Sequence, residues 1–169
     1  MQIEEAIRTR RTIKAYDPAP VDRAVLDELF ELARWAPNHN LTNPWRFRVL
    51  GPEAVHGLKQ AAGPEAAAKL DRAPTLVVVS ARQTGDPVQD REDLLACGVA
   101  AYIVLLAAHA RGLAGYWRTL TLLDEPAGRE AVRLGADEIA VGLIHLGWAL
   151  HPPQPSQREP LDTVVTRLD

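Results

Sequence analysis

Residues 94–108 read LLACGVAAYIVLLAA, fifteen residues without a charge. A helix that is apolar around its whole circumference has to be buried on every side. The run is shorter than the roughly 18–20 apolar residues a bilayer needs. Asp90, Arg91, Glu92 and Asp93 precede it, and His109 and Arg111 follow it. Acids therefore sit at the positive end of the helix dipole and bases at the negative end. Gly112 supplies the left-handed residue that commonly ends a helix, so the pattern predicts a helix over residues 90–111. Its small residues, Ala96, Cys97, Gly98, Ala100 and Ala101, let another backbone approach closely. In a chain of 169 residues, a helix buried all round leads to the expectation that a second copy covers what one chain cannot, a homodimer.

The composition bounds the rest. One domain spanning residues 1–169 is expected, with enough chain for a proper core. Hydrophobic residues make up 47% and charged residues 24% of the chain, the balance of an ordinary globular protein. A net charge of -3 argues against nucleic acid as a partner. Cys97 is the only cysteine, so no intrachain disulfide or cysteine-based metal site is expected. The N-terminus MQIEEAIRTR places acids early and has no long apolar run. No signal peptide or membrane segment is therefore expected, and the cytoplasm is the default.

Outward from the central run, Ile3, Ala6 and Ile7 predict a short first helix that runs into Arg8, Arg10 and Arg11. Pro18 and Pro20 forbid its continuation. Asp22 opens a second helix with Val25, Leu26, Leu29, Phe30 and Ala33 on its apolar face, ended by Pro37. The polar loop NHNLTNP (residues 38–44) follows, and then the alternating strand WRFRVL (45–50). Short helices are predicted over residues 53–60 and 65–70, and a buried central strand over LVVV (76–79). Residues 83–89 read as a loop through Gly85 and Pro87. Beyond the central helix, GYWRT (115–119) reads as a strand or its end. Asp124, Glu125 and Pro126 open a helix that Gly135 closes, and IAVGLIHLGW (139–148) is a second buried strand. Pro152, Pro153, Pro155 and Pro160 make the tail extended. Residues 163–168 are a candidate terminal strand, and a tail of this kind suits a neighbour it can wrap.

Three clusters carry chemistry. Arg10, Arg11, Thr12 and Lys14 place three cations and a hydroxyl within five residues, the donor set a dianionic phosphate requires. Basic residues ending a helix favourably would look the same. Asn38, His39, Asn40, Thr42 and Asn43 offer groups that either read the polar edge of a ring system or satisfy the loop's own backbone. Tyr116, Trp117, Arg118 and Thr119 combine aromatic, cation and hydroxyl. They suit either a flat anionic ligand or a core tryptophan beside a surface arginine. His39 has no ligand-spaced partner, so no metal is expected. No G-x-G-x-x-G and no G-x-S-x-G occurs.

Together, RRTIKAYDPAP (10–20), ELARWAPNHNLTNPWRFRVL (31–50), GYWRT (115–119) and VGLIHLGW (141–148) resemble the FMN-dependent nitroreductase family in its short bacterial branch. The resemblance implies an α+β fold: a mixed β-sheet flanked by helices, with a long buried central helix at a homodimer interface. It implies FMN, with Arg10, Arg11, Thr12 and Lys14 on the phosphate, the ribityl chain or the nearby ring edge. Ala36-Pro37 and Pro44-Trp45 match the family's loop that reaches the flavin of the other subunit, which implicates Trp35, Asn38 and His39. Trp117, Arg118 and Thr119 match a further cofactor-contact segment. Thr12 replaces the usual serine and keeps its hydroxyl. The implied activity is NAD(P)H-dependent reduction of nitroaromatic or quinone-like acceptors by ping-pong hydride transfer through the flavin, without a protein acid or base. Other redox reactions of relatives, such as dehalogenation or flavin fragmentation, and flavin carriage without turnover are the alternatives.

Overall fold

A computed structural model describes residues 1–152, 154 and 156–168. Six helices and four strands appear among them: α1 (Ile3–Thr9), α2 (Arg23–Ala33), β1 (Trp45–Val49), α3 (Pro52–Ala61), α4 (Pro64–Leu70), β2 (Thr75–Arg82), α5 (Pro87–Ala110), β3 (Leu113–Arg118), α6 (Pro126–Ala131) and β4 (Glu138–Trp148). The sheet order is β1-β2-β4-β3, and each neighbouring pair is antiparallel. The parallel component of the expected mixed sheet is confined to one isolated bridge, Thr12 to Gly115.

Helices cover both sheet faces, which is why the LVVV run lacks alternation. Val77 and Val79 pack with Leu26 and Leu29 of α2 and Ala101, Val104 and Leu105 of α5. Leu76 and Val78 point the other way, among Leu58 of α3, Leu70 of α4 and Leu123. A strand buried on both sides has no polar face to show.

The central helix starts three residues earlier than residue 90. Asp86 caps it, its Oδ1 accepting from the backbone N–H of Val88 at 2.8 Å and of Gln89 at 3.1 Å. Pro87 takes the first helical position, where the missing N–H has no partner to lose. A proline read as part of a loop is therefore the first residue of the helix. Gly112 ends the helix at φ +80°. At 24 residues α5 is long and apolar enough, by length and composition, to cross a membrane, a length the uncharged run alone did not reach. Here its inner face fills the core: Ala96, Cys97, Ala100, Ala101, Val104 and Ala108 are buried. Its outer stripe is open, with Leu95 65% and Val99 42% exposed. One chain thus meets the expectation of burial on only one side.

Other boundaries move for local reasons. Helix α6 ends at Ala131 rather than at Gly135, because Arg133 takes a left-handed φ of +54°. The turn beyond it is tied down by Arg129, whose Nη2 donates to the carbonyls of Gly135 (2.6 Å) and Glu138 (3.0 Å). The helix α2 stops at Ala33, four residues before Pro37. Residues 163–168 form no strand; only a 3-10 turn at Leu161–Thr163 punctuates the exposed tail. Of the tail prolines, Pro153 and Pro155 lie outside the described residues.

Candidate functional site

Beyond α1 the chain turns extended at Arg10 (φ -57°, ψ 130°) and runs against β3 through the Thr12–Gly115 bridge. This sets Arg10, Arg11, Thr12 and Lys14 along one cavity of about 700 Å³. All four residues of the first cluster are therefore brought together. The tail closes the other side with His151, Gln154, Ser156 and Arg158. Sequence reading missed these four. A basic residue in a proline-rich stretch carries no local sign of where that stretch folds back.

This cavity gathers three cations along one wall. Among the described residues no carboxylate pairs with Arg10, Arg11 or Lys14, although ion pairs occur elsewhere. The Nε atoms of Arg10 and Arg11 are buried and have no hydrogen-bond partner. Each such orphaned donor costs about 1–3 kcal/mol. Arg11 spends Nη1 on the carbonyl of Arg10 at 2.7 Å. A smaller cavity of about 200 Å³ behind the arginines is lined by His109 and by residues of β3. Thr9 Oγ1 donates to the Glu5 carbonyl and lies 2.7 Å from His109 Nε2. The imidazole proton is thereby placed on Nε2, donating to the hydroxyl oxygen. Burial and then Arg10 and Arg11 hold the His109 pKa below its ordinary value. The whole cluster thus concentrates positive charge along one cavity.

The second cluster lies elsewhere. Trp35 is 74% exposed and carries the Arg34 guanidinium over its ring at 5.5 Å. Asn38 Oδ1 accepts from the backbone N–H of Asn43 at 2.9 Å, and its Nδ2 donates to the Ala36 carbonyl at 3.2 Å. Asn38 therefore serves its own loop, one of the two uses open to it from sequence. His39 is exposed, its Nδ1 3.7 Å from Glu92 of α5. The loop is latched by Thr42, whose hydroxyl donates to the buried Asp93 carboxylate at 2.6 Å. Gln89 Nε2 reaches the same oxygen at 3.0 Å. Thr42 and Asp93 were each visible in sequence, but nothing there paired them across 51 positions. The latch holds Asn40, Leu41 and Asn43 at φ of 52°, 54° and 47°, left-handed conformations that cost a leucine about 1–2 kcal/mol. Thr42→Val should remove a bond to a charged acceptor. The expected loss is about 1.5 kcal/mol, seen as a fall in Tm of about 4 °C by calorimetry, whereas Thr42→Ser should hold the wild-type Tm.

The third cluster divides. Trp117 is half-buried in the core with α5, and its Nε1 donates to the Val141 carbonyl at 3.3 Å. Val141 is the extra residue of a bulge in β4, since Val79 faces Gly142 while Ser80 faces Ala140. Gly142 has φ +148°, and any Cβ there would collide with the Trp117 indole and the Arg118 carbonyl. Arg118 is half-buried and Thr119 exposed. None of the three lines the cavity of residues 10–14. Cys97 supplies no nucleophile: burial, and next the charge of Asp93, push its thiol up to about 12.

Helix α5 measures the separation of the first two clusters. His39 faces it at Glu92 and Thr9 faces it at His109, about 25 Å apart along the axis. Within one chain, the two clusters stand at opposite ends of the same helix.

Residues 7–148 match the model of the nitroreductase family, so the chain belongs to the nitroreductase family. YfhC of Bacillus subtilis (strain 168), which bears a provisional NAD(P)H nitroreductase name, is 23% identical over 98% of this chain and 94% of its own. The crystal structure of a nitroreductase-like family protein from Bacillus cereus superposes with a TM-score of 0.90 at 24% identity, covering 100% of this chain and 97% of that one. A provisionally named nitroreductase from Desulfovibrio desulfuricans, crystallised with FMN, has a TM-score of 0.84 at 24% identity, covering 100% of this chain and 98% of that one. These likenesses carry the α+β nitroreductase-like fold.

Proposed function

We propose that this chain is an FMN-dependent oxidoreductase that uses NAD(P)H to reduce nitroaromatic or quinone-like acceptors, working as a homodimer with the flavin at the subunit seam. The observation that supports it best is the pair of buried, partnerless Nε donors on Arg10 and Arg11 beside a cavity of about 700 Å³. A phosphate supplies the acceptors those donors lack. The solved relative with FMN has the same fold, and NAD(P)H enters through the name of YfhC.

When bound, FMN would supply two-electron redox chemistry between NAD(P)H and the acceptor in a ping-pong sequence. The chain's own residues bind and orient. Arg10, Arg11, Thr12 and Lys14 hold the phosphate and ribityl chain, and Arg158 adds charge from the tail. Trp35, Asn38 and His39 of the second copy cover the ring from the far side, because the length of α5 keeps them from doing so within one chain. Trp117, Arg118 and Thr119 supply a further cofactor contact outside the cavity of residues 10–14, with Trp117 as a packed wall and Arg118 as a cation that has no carboxylate partner among the described residues. No side chain need move a proton.

The outer stripe of exposed Leu95 and Val99 and half-buried Leu106 lies along one helix face. Ile3 and Ile7 of the neighbouring α1 are also exposed, at 67% and 49%. We take this as the surface that a second copy covers. Purified protein should be yellow, release its chromophore on denaturation, sediment as a dimer, and oxidise NAD(P)H when given a nitroaromatic or quinone. Colourless, correctly folded protein that stays so when offered FMN would sink the reading.

A further inference from the structure

Two cations of the anion site rest on aromatic rings. The guanidinium carbon of Arg10 lies 5.6 Å from the centroid of Tyr102 of α5. Lys14 Nζ lies 5.4 Å from the ring of Tyr116 of β3. Both distances are within the reach of a cation–π attraction. Tyr116 is itself backed by the ring of His145 of β4, with centroids 5.4 Å apart and planes at 35°. His145 is fully buried, and both its nitrogens lack partners. It therefore serves as a second ring in a stack of ammonium, phenol and imidazole.

The contrast with Arg34 is instructive. It also lies over a ring, that of Trp35, but Glu31 grips its guanidinium at 2.6 and 2.7 Å. A carboxylate fixes a cation and cancels its charge in one act. An aromatic face fixes a cation through its quadrupole and leaves the net charge intact. An incoming anion then meets full charges and has no ion pair to break.

We infer that Tyr102 and Tyr116 are positioning residues that hold Arg10 and Lys14 uncompensated for the phosphorylated flavin. The inference rests on the phosphate reading above. Neither tyrosine lines the cavity of residues 10–14; each sets where a cation stands.

The test titrates the full-length apoprotein with FMN and, separately, with riboflavin, which lacks the phosphate, following flavin fluorescence. Tyr102→Phe keeps the ring face and should bind FMN within about two-fold of wild type. Tyr102→Leu should weaken FMN about five-fold and leave riboflavin unchanged, so the preference for FMN over riboflavin falls. Tyr116→Leu should weaken FMN by a similar factor and Tyr116→Phe restore it. Thermal melts of each apoprotein verify folding, and Tyr102→Met replaces the leucine variant if that one fails to fold. Equal weakening of FMN and riboflavin by Tyr102→Leu would mean a merely structural role and overturn the inference. So would leucine variants that bind FMN like wild type while Arg10→Ala loses it, and in that case the phosphate reading stands. If Arg10→Ala keeps the full preference for FMN, the phosphate reading fails and takes this inference with it.

Discussion

Arg10→Ala is expected to lose FMN. A charge-assisted bond between guanidinium and phosphate contributes about 1.5–3 kcal/mol, so affinity should fall by roughly ten- to a hundred-fold. The measurement is the flavin content of the purified variant together with a fluorescence titration. The folded apoprotein should move the other way. Arg10 Nε is buried without a partner in the structure, so removing it relieves a desolvation penalty. The apo variant should melt at or above the wild-type temperature. Loss of flavin without loss of apoprotein stability separates an anion-binding role from a structural one. If the variant purified fully loaded with flavin, Arg10 would not be a phosphate ligand.

The second large effect is on stability against pH and resides in His145. Burial, then Arg118 and Arg72, lower its pKa from 6.5 to about 4. In the unfolded chain the imidazole takes up a proton below pH 6.5; in the native protein it does not until about pH 4. Native stability from this group is complete above pH 6.5 and drains away as the pH falls through that window. The total is about 3 kcal/mol, or roughly 10 °C in Tm. His109 shifts in the same direction. Glu138, lowered below 4.5 by Arg48 and Ser80 against the opposing effect of burial, acts only at the acid end. His145→Leu should flatten the dependence of Tm on pH between 6.5 and 4.5 while leaving the melt at pH 8 close to wild type. An unchanged slope in that variant would show that His145 is not the group responsible.

Much of the fold was legible because its signals are local. The uncharged run of residues 94–108 announced α5, and the LVVV run announced β2. Gly112 marked the stop of α5 and adopts the left-handed φ expected of it. The errors have physical causes. Pro87 looked like a loop residue because a proline reads as a breaker wherever it is not the first residue of a helix. Gly135 looked like the end of α6 because glycine is the usual left-handed residue, whereas Arg133 adopts that conformation instead. The candidate strand over residues 163–168 had no alternation strong enough to define one, and none forms.

The candidate site shows the same division. The cations of residues 10–14 are adjacent in sequence, so their grouping was visible at once. Their aromatic supports, Tyr102 and Tyr116, belong to distant elements, and so does the tail arginine Arg158. The Asp93 latch under the NHNLTN loop was equally hidden, because a carboxylate in the first turns of a helix reads as a partner for the dipole. Only the fold shows that this one is buried and receives a hydroxyl from 51 positions upstream.

The two clusters at opposite ends of α5 tie colour to concentration. In the dimer proposed above, a flavin gripped by residues 10–14 of one chain and covered by residues 35–39 of another would be shared property of two molecules. By reciprocal linkage, whatever FMN adds to the cohesion of the pair, pairing adds to the retention of FMN. Progressive dilution should therefore bleach the protein, and excess FMN should hold the pair together at concentrations where the apoprotein falls apart.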